Sequence, residues 1–322
     1  MAILVLNQAE VEELLDMEGC IEAMAEILGS LARGELFQPL RVIAFPPGEK
    51  SGIGLMPAHR SGDRAAYALK TICLFPDNPA RGLDAHQGTV TLFSGETGQV
   101  RALMNASAIT AIRTAAVSGV ATRLLAREDA SELAIVGAGV QARSHIEAMR
   151  AVRPWASIRV TSRTAEHAQA LAEETGTEAV GSVEEAVRGA DVVVTATNSS
   201  EPVVQREWLK PGAHVNAVGS SVKTARELDT ATMAACSLFV DRRESTLNEA
   251  GDYLSAAEEG AIGPDHIRAE IGEILTGTHP GRTAQDELTV FKSLGLAVED
   301  LAAAEYVVRR AQETGRGTTV EF

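Results

Sequence analysis

The sequence has few cysteines and an excess of acidic over basic residues, and each feature excludes a class of protein. Its 322 residues include Cys20, Cys73 and Cys236, which are widely spaced and form no CxxC pair. They indicate reduced thiols, with no disulfide framework and no metal site. The net charge of −15 argues against a nucleic-acid partner and against an anionic membrane.

Long apolar runs are also missing, and we expect none of the length that a membrane span requires. The segment 1–7 is followed by acidic residues and has no basic flank, so it does not resemble a signal peptide. With a hydrophobic content of 45%, these features predict a cytoplasmic, globular protein. Its length predicts two domains.

The first third of the chain predicts a helix and then a mostly antiparallel sheet. Apolar residues recur at helical spacing over 8–33, with Asn7 or Gln8 at the start and Gly34 at the end. A second long helix is expected over 106–126. Between the helices, strand patterns occupy residues 40–45, 53–56, 65–75, 88–93 and 100–104, the last two joined as a hairpin.

The strongest motif is a glycine turn between a strand and a helix. The apolar run 133–136 leads into Gly137-x-Gly139-x-x-Ala142, and a helical pattern follows. Gly137 permits the turn, Gly139 lets the backbone approach a pyrophosphate, and Ala142 lets helix and strand pack closely. The helix N-terminus would hold the phosphates. We therefore predict a dinucleotide site.

An alternation of strands and helices surrounds this turn and predicts a doubly wound parallel sheet of the Rossmann type. Beyond Asp241 the sequence is acidic and its pattern predicts helices, the last of them a packed helix over 294–314. The predicted strands are 133–136, 157–161, 191–196, 213–218 and 237–241, and the predicted helices are 141–152, 164–175 and 182–188.

The turn after the second strand favours NADPH over NADH. An NAD site usually has a carboxylate there for the ribose 2′-hydroxyl, whereas this sequence has Ser162, Arg163 and Thr164. Hydroxyls and a guanidinium suit a 2′-phosphate. The alternative is a solvated turn in which Thr164 caps the next helix and Glu166 contacts the ribose.

Ligands of open α/β sheets bind beyond the carboxyl ends of the strands. The ends of the fourth and fifth strands should therefore line the cofactor groove, although threonines there also serve as helix caps. The residues expected in this groove are Thr195, Thr197, Val218 and Gly219.

Three basic residues interrupt apolar segments and indicate a carboxylate-binding site. Arg41 opens an apolar strand, Lys70 lies within one, and Arg113 lies in the otherwise uncharged helical stretch 108–117. A buried cation is costly unless it is paired, and no acid lies nearby in the sequence. We therefore expect an anion from outside. His86 precedes a strand and is a possible proton donor, although a structural hydrogen bond is the commoner role.

Eight stretches across the chain, one of them the single residue Lys70, resemble the ornithine cyclodeaminase/mu-crystallin family. The resemblance implies a homodimer in which an α/β substrate-binding and dimerisation domain, residues 1–115 completed by 296–322, carries an inserted NADP-binding Rossmann domain, 116–295. The stretches are Leu55–Pro57, Lys70, Ala85–Val90, Ala111–Val117, Val136–Ala142, Pro211–Gly219, Arg226–Asp229 and Thr289–Asp300.

The same resemblance implies roles for individual residues. Arg41, Lys70 and Arg113 would hold the substrate carboxylate, with Lys70 close to the reacting carbon and Met56 and His86 beside them. The residues that would contact the cofactor or close the site near the nicotinamide are Thr114, Val140, Gln141, Ser293 and Gly295.

The chemistry expected is NADPH-dependent reduction of a cyclic ketimine carboxylate. Cyclodeaminases of the family place an aspartate where this sequence has Ser221, and serine cannot take a proton from an amine as a carboxylate does. The proton donor is not identified, and the candidates are His86, Glu249 and Asp252. Alternatives are an amino-acid dehydrogenase or reductive aminase, an NAD-dependent cyclodeaminase, and a non-catalytic NADPH-dependent binding protein.

Overall fold

The computed structural model describes residues 2–321, and the chain divides into two compact units, residues 1–113 with 296–322 and residues 114–295. The strands are β1 (Ala2–Leu6), β2 (Leu36–Phe37), β3 (Val42–Ala44), β4 (Gly52–Arg60), β5 (Ala66–Leu74), β6 (His86–Ser94), β7 (Val100–Asn105), β8 (Glu132–Val136), β9 (Ser157–Thr161), β10 (Glu178–Ala179), β11 (Val192–Thr195), β12 (His214–Ala217), β13 (Ser237–Val240), β14 (Ile267–Glu270), β15 (Thr289–Lys292) and β16 (Thr318–Glu321). The helices are α1 (Gln8–Leu14), α2 (Met17–Ala32), α3 (Ala106–Leu125), α4 (Val140–Val152), α5 (Ala165–Thr175), α6 (Val183–Val187), α7 (Thr230–Ala235), α8 (Arg243–Glu249), α9 (Gly251–Glu258), α10 (Ile271–Leu275) and α11 (Ala297–Thr314).

The first unit is built on a sheet in the order β16-β1-β7-β6-β5-β4-β2, with β3 also paired to β4. The predicted hairpin of β6 with β7 and the mostly antiparallel pairing are confirmed. The β1–β7 pair is parallel, and strands β1 and β16 were not predicted. Lys70 on β5 lies between Met56 on β4 and Val90 on β6. Alternate residues of β4 and β5 are buried under α11, so these three side chains share the covered face.

The helix predicted over 8–33 is interrupted and forms α1 and α2. Asn7 begins α1 as predicted, through a reciprocal capping box with Glu10. The break comes at Asp16, whose carboxylate accepts a hydrogen bond from the backbone N–H of Gly19 and starts a second helix. The apolar spacing continues through the break, so periodicity alone did not reveal the cap.

The second unit is a parallel sheet in the order β10-β9-β8-β11-β12-β15-β13-β14, which confirms the Rossmann-type prediction. The expectation of only helices beyond Asp241 is wrong, because β14 and β15 lie there and β15 runs between β12 and β13. All four residues of β15 are buried. A strand covered on both faces shows no alternation, which is why the pattern was missed.

Helix α3 corrects the expectation that no apolar run is long enough to cross a bilayer. By length and composition Ala106–Leu125 meets that criterion, with 72% of its most apolar window buried within the protein. Core helices of globular proteins pass the same test. The burial accounts for its largely apolar composition.

Candidate functional site

The glycine turn after β8 has the geometry of a phosphate-binding loop. Gly137 has φ of 124°, and a Cβ there would lie 2.5 Å from the carbonyl oxygen of Ala196, so no other residue fits. Gly139 begins α4 without a capping side chain, and no protein atom lies within 4 Å of where its Cβ would be. The uncapped N–H groups and the open space beside them suit a pyrophosphate. Val140 and Gln141 form the first turn.

The turn between β9 and α5 leaves its polar groups available to a ligand. Within residues 2–321, Arg163 is exposed and makes no ion pair. Thr164 occupies the N-cap position of α5, but its side chain makes no capping hydrogen bond. The alternative in which the Thr164 side chain caps this helix is therefore not what the structure shows. Ser162 contacts the backbone N–H of Thr164 at 3.5 Å, and Glu166 lies in the first turn of α5.

A buried carboxylate that the sequence analysis missed joins the ends of β11 and β12. Glu227 Oε2 accepts hydrogen bonds from Thr195 Oγ1 and the backbone N–H of Gly219, each at 2.7 Å. Its Oε1 accepts from the backbone N–H of Thr197 at 2.7 Å and from Thr197 Oγ1 at 2.8 Å. A Cβ on Gly219 would lie 1.9 Å from the carbonyl oxygen of Thr197. Thr195 and Thr197 thus stabilise the strand ends and do not cap helices. Glu227 could have been found from sequence, because it lies in the stretch Arg226–Asp229 that resembles the family.

A second buried network lies beside Glu227. Lys292 Nζ donates to the Ala217 carbonyl at 2.9 Å and to Ser220 Oγ at 2.8 Å, and lies 3.4 Å from Asp252 Oδ2. Asp252 also accepts from the hydroxyl of Ser220 and from the backbone N–H of Glu227, at 2.7 Å in the latter case. Asp252, a candidate proton donor from sequence, is therefore fully buried and engaged in holding this segment.

The segment after β15 carries one unusual polar group. Among the described residues, the Ser293 hydroxyl is buried and has no hydrogen-bond partner. The next two backbone N–H groups, of Leu294 and Gly295, donate to Asp241 Oδ2 at 2.6 and 2.8 Å. An unsatisfied buried hydroxyl is rare and is consistent with a partner supplied from outside. Thr114 and Val218, the other expected cofactor residues, are buried.

In the first unit, the predicted cations are brought together with acids from α11. Lys70 Nζ lies 2.8 Å from Asp300 Oδ2, Arg113 Nε lies 3.0 Å from Asp300 Oδ1, and Arg113 Nη1 lies 2.8 Å from Glu299 Oε2. All four side chains are at most 4% exposed. The expectation that no protein acid is at hand is therefore wrong, because the acids come from the first turn of α11. The helix dipole stabilises carboxylates at that position.

The electrostatics of this cluster extend to Arg41 and His86. Burial lowers the pKa of Lys70 to about 8, opposed by Asp300 and assisted by the charges of Arg113 and Arg41. Partial desolvation and then the charge of Lys70 lower the pKa of His86. Arg41 and His86 are thus close enough to act on Lys70 or respond to it, and Met56 pairs with Lys70 across the strands.

The sequence profile of the ornithine cyclodeaminase/mu-crystallin family matches residues 1–315. The chain belongs to this family. Among curated relatives, the ketimine reductase mu-crystallin of Mus musculus is 40% identical over 276 residues, which cover 85% of each chain.

Two solved structures of the family superpose on nearly the whole chain. Delta(1)-pyrroline-2-carboxylate reductase of Thermococcus litoralis, in complex with NADH and L-proline, is 38% identical with a TM-score of 0.94 and covers 99% of this chain and 100% of its own. An archaeal alanine dehydrogenase dimer with bound NAD is 34% identical with a TM-score of 0.94, and each chain is fully covered.

Proposed function

We propose that this protein catalyses the NADPH-dependent reduction of a cyclic ketimine carboxylate to a cyclic amino acid. It is an oxidoreductase of carbon–nitrogen bonds that uses a nicotinamide dinucleotide. Residues 1–113 with 296–322 bind the substrate, and residues 114–295 bind the cofactor. The observation that carries the proposal is the buried cluster of Lys70 and Arg113 on Asp300, in a family whose relatives are named for reduction of such imines.

The charges of the cluster suit a substrate with a carboxylate. Lys70 and Arg113 lie together on Asp300, and the positive charge of Arg41 acts on Lys70. Guanidinium and ammonium groups bind a carboxylate through charge-assisted hydrogen bonds, so an acid is favoured over a neutral ligand.

Lys70 is the proton donor in this proposal. An imine accepts hydride readily only when its nitrogen is protonated, and a donor works best when its pKa lies near the working pH. The pKa of Lys70, lowered by burial to about 8, meets this condition. Asp300, 2.8 Å away, keeps the ammonium group in place, and the arginines hold the carboxylate. The bound nucleotide supplies the hydride.

NADPH is proposed because of Arg163. Its guanidinium is exposed, makes no ion pair within residues 2–321 and stands where an NAD site has a carboxylate. The two solved structures described above contain NADH or NAD, so the proposed preference for NADPH rests on this chain's own turn at Arg163.

A homodimer is proposed through the uncovered face of the first unit's sheet. Large apolar side chains are exposed there on adjacent strands, with Ile53 and Leu55 on β4 and Val42 and Tyr67 beside them, at 37–57% exposure. A contiguous apolar face of this kind marks an interaction surface. The archaeal relative is a dimer.

One observation favours a second candidate. Lys70 and Arg113 are sealed by internal ion pairs, as expected if the site binds a small acid together with NADPH and does no chemistry. The ion pairs compensate the buried charges whether the protein is a reductase or a non-catalytic binding protein, so the presence or absence of turnover distinguishes the two candidates.

The deciding experiment follows the absorbance of reduced nicotinamide with NADPH or NADH. The substrates are pyrroline-2-carboxylate, piperideine-2-carboxylate and a sulfur-ring ketimine. We expect oxidation of NADPH with at least one of them. Lys70→Met should reduce kcat at least a hundredfold, whereas Tyr67→Phe, on the opposite face of β5, should not. Binding without turnover establishes the second candidate, and unchanged kcat/KM in K70M removes Lys70 from the mechanism.

A further inference from the structure

We infer that Glu227 is a positioning residue that favours the positively charged, oxidised form of the bound nicotinamide over its neutral, reduced form. The inference rests on the proposed function, because it requires that residues 114–295 bind the dinucleotide. It gives a function to a buried carboxylate that accepts hydrogen bonds from the ends of two strands.

The place of Glu227 follows from the strand order. In a doubly wound sheet the dinucleotide lies beyond the carboxyl ends of the strands and spans two halves. The glycine turn after β8 and the Arg163 turn after β9 belong to the adenosine half. The nicotinamide half then lies over β11 and β12, the strands whose ends Glu227 holds through Thr195, Thr197 and Gly219.

The hydrogen bonds favour the charged carboxylate. Each oxygen of Glu227 accepts one backbone N–H, from Thr197 or from Gly219, and each also accepts one threonine hydroxyl. A backbone N–H can only donate, so each oxygen has one partner that requires a lone pair, and a carboxyl group that accepts several hydrogen bonds is stabilised in its ionised form. Burial first, and also the negative charge of Asp252, raise the pKa of Glu227, whereas the charge of Lys292 and the hydrogen bonds from Thr195 and Thr197 oppose that rise.

The negative charge of Glu227 is only partly compensated by the neighbouring charged side chains. Lys292 and Asp252 are the charged side chains that act on Glu227, and Lys292 lies 3.4 Å from Asp252. Two buried carboxylates and one ammonium group leave one net negative charge at the strand ends. A cation bound beyond those ends would complete the balance.

The reaction produces such a cation. In imine reduction a hydride, which is one proton with two electrons, passes from the neutral reduced ring to the imine carbon. The imine nitrogen takes a proton from Lys70, and the oxidised ring is left with a positive charge. A fixed negative charge near the ring stabilises that charge as it develops.

The test compares dissociation constants for NADP⁺ and NADPH, measured by calorimetric titration without substrate. Glu227→Gln removes the charge at nearly constant volume, and we expect the ratio Kd(NADP⁺)/Kd(NADPH) to rise about tenfold. Glu227→Asp retains the charge and should leave the ratio within about twofold of wild type.

Equal weakening of both nucleotides by E227Q, with an unchanged ratio, overturns the inference and leaves Glu227 a structural brace. If E227Q does not fold, Asp252→Asn removes one charge from the same network and should move the ratio in the same direction; an unchanged ratio in D252N overturns the inference equally. Failure of the wild-type protein to bind either nucleotide instead refutes the proposed function.

Discussion

Replacing Asp300 with asparagine should move the pH dependence of the enzyme toward acid. Asp300 is the carboxylate that supports the ammonium form of Lys70, at 2.8 Å, while Arg113 and Arg41 oppose that form. Loss of an opposite charge at this range lowers a pKa by about 1–3 pH units. The pKa of Lys70, about 8 in the wild-type protein, should fall accordingly.

The sign of the effect follows from the proposed role of Lys70 as proton donor. Since only the protonated amine can donate, kcat/KM is flat below the pKa of Lys70 and falls as pH rises through it. The fall should begin near pH 8 in the wild-type protein and about 1–3 pH units lower in D300N. The assay is NADPH oxidation with the best ketimine between pH 5 and pH 10.

The control variant is Glu305→Gln, which breaks another ion pair of α11, Glu305 with Arg60 at 2.6 Å. Glu305→Gln should lower the free energy of unfolding without changing the pH at which kcat/KM falls. D300N breaks a buried pair and should cost about 3–5 kcal/mol, which is measured by denaturant unfolding. If folded D300N and the wild-type protein lose activity at the same pH, Lys70 is not the group that titrates and the assignment of the donor is wrong.

Three further predictions concern the cofactor, the dimer and acid stability. Arg163→Glu should weaken NADPH binding relative to NADH by about tenfold to a hundredfold, and an unchanged ratio would remove Arg163 from the site. Leu55→Asp should convert the proposed homodimer to monomer in light scattering, whereas an unchanged dissociation constant of the dimer would place the interface elsewhere. Burial first, and then the charge of Arg282, lower the pKa of His214 to about 3. The contribution of neutral His214 to the free energy of unfolding should therefore be full above about pH 6.5, and below that pH it should fall by up to about 1.4 kcal/mol per pH unit. His214→Gln should flatten that slope in urea unfolding, and an identical slope would contradict it.

The parts of the site that could be predicted from sequence are those that depend on local geometry. Gly137 and Gly139 mark a turn whose backbone requirements involve a few neighbouring residues, and the β8–turn–α4 unit was read correctly from them. The absence of a carboxylate around Arg163 was likewise visible in one turn. Strand β15 was missed because burial on both faces removes the alternation on which such a prediction depends.

Sequence alone thus determined the nucleotide turn, the parallel strand–helix alternation and the family, since each depends on short-range pattern or on ordered matches along the chain. Only the tertiary structure decided which charges meet. Arg113 pairs with Asp300, 187 residues away, and Glu227 accepts from Thr195, 32 residues away. Buried charges must find partners wherever the fold supplies them, and the partners of Lys70 come from a helix at the other end of the chain.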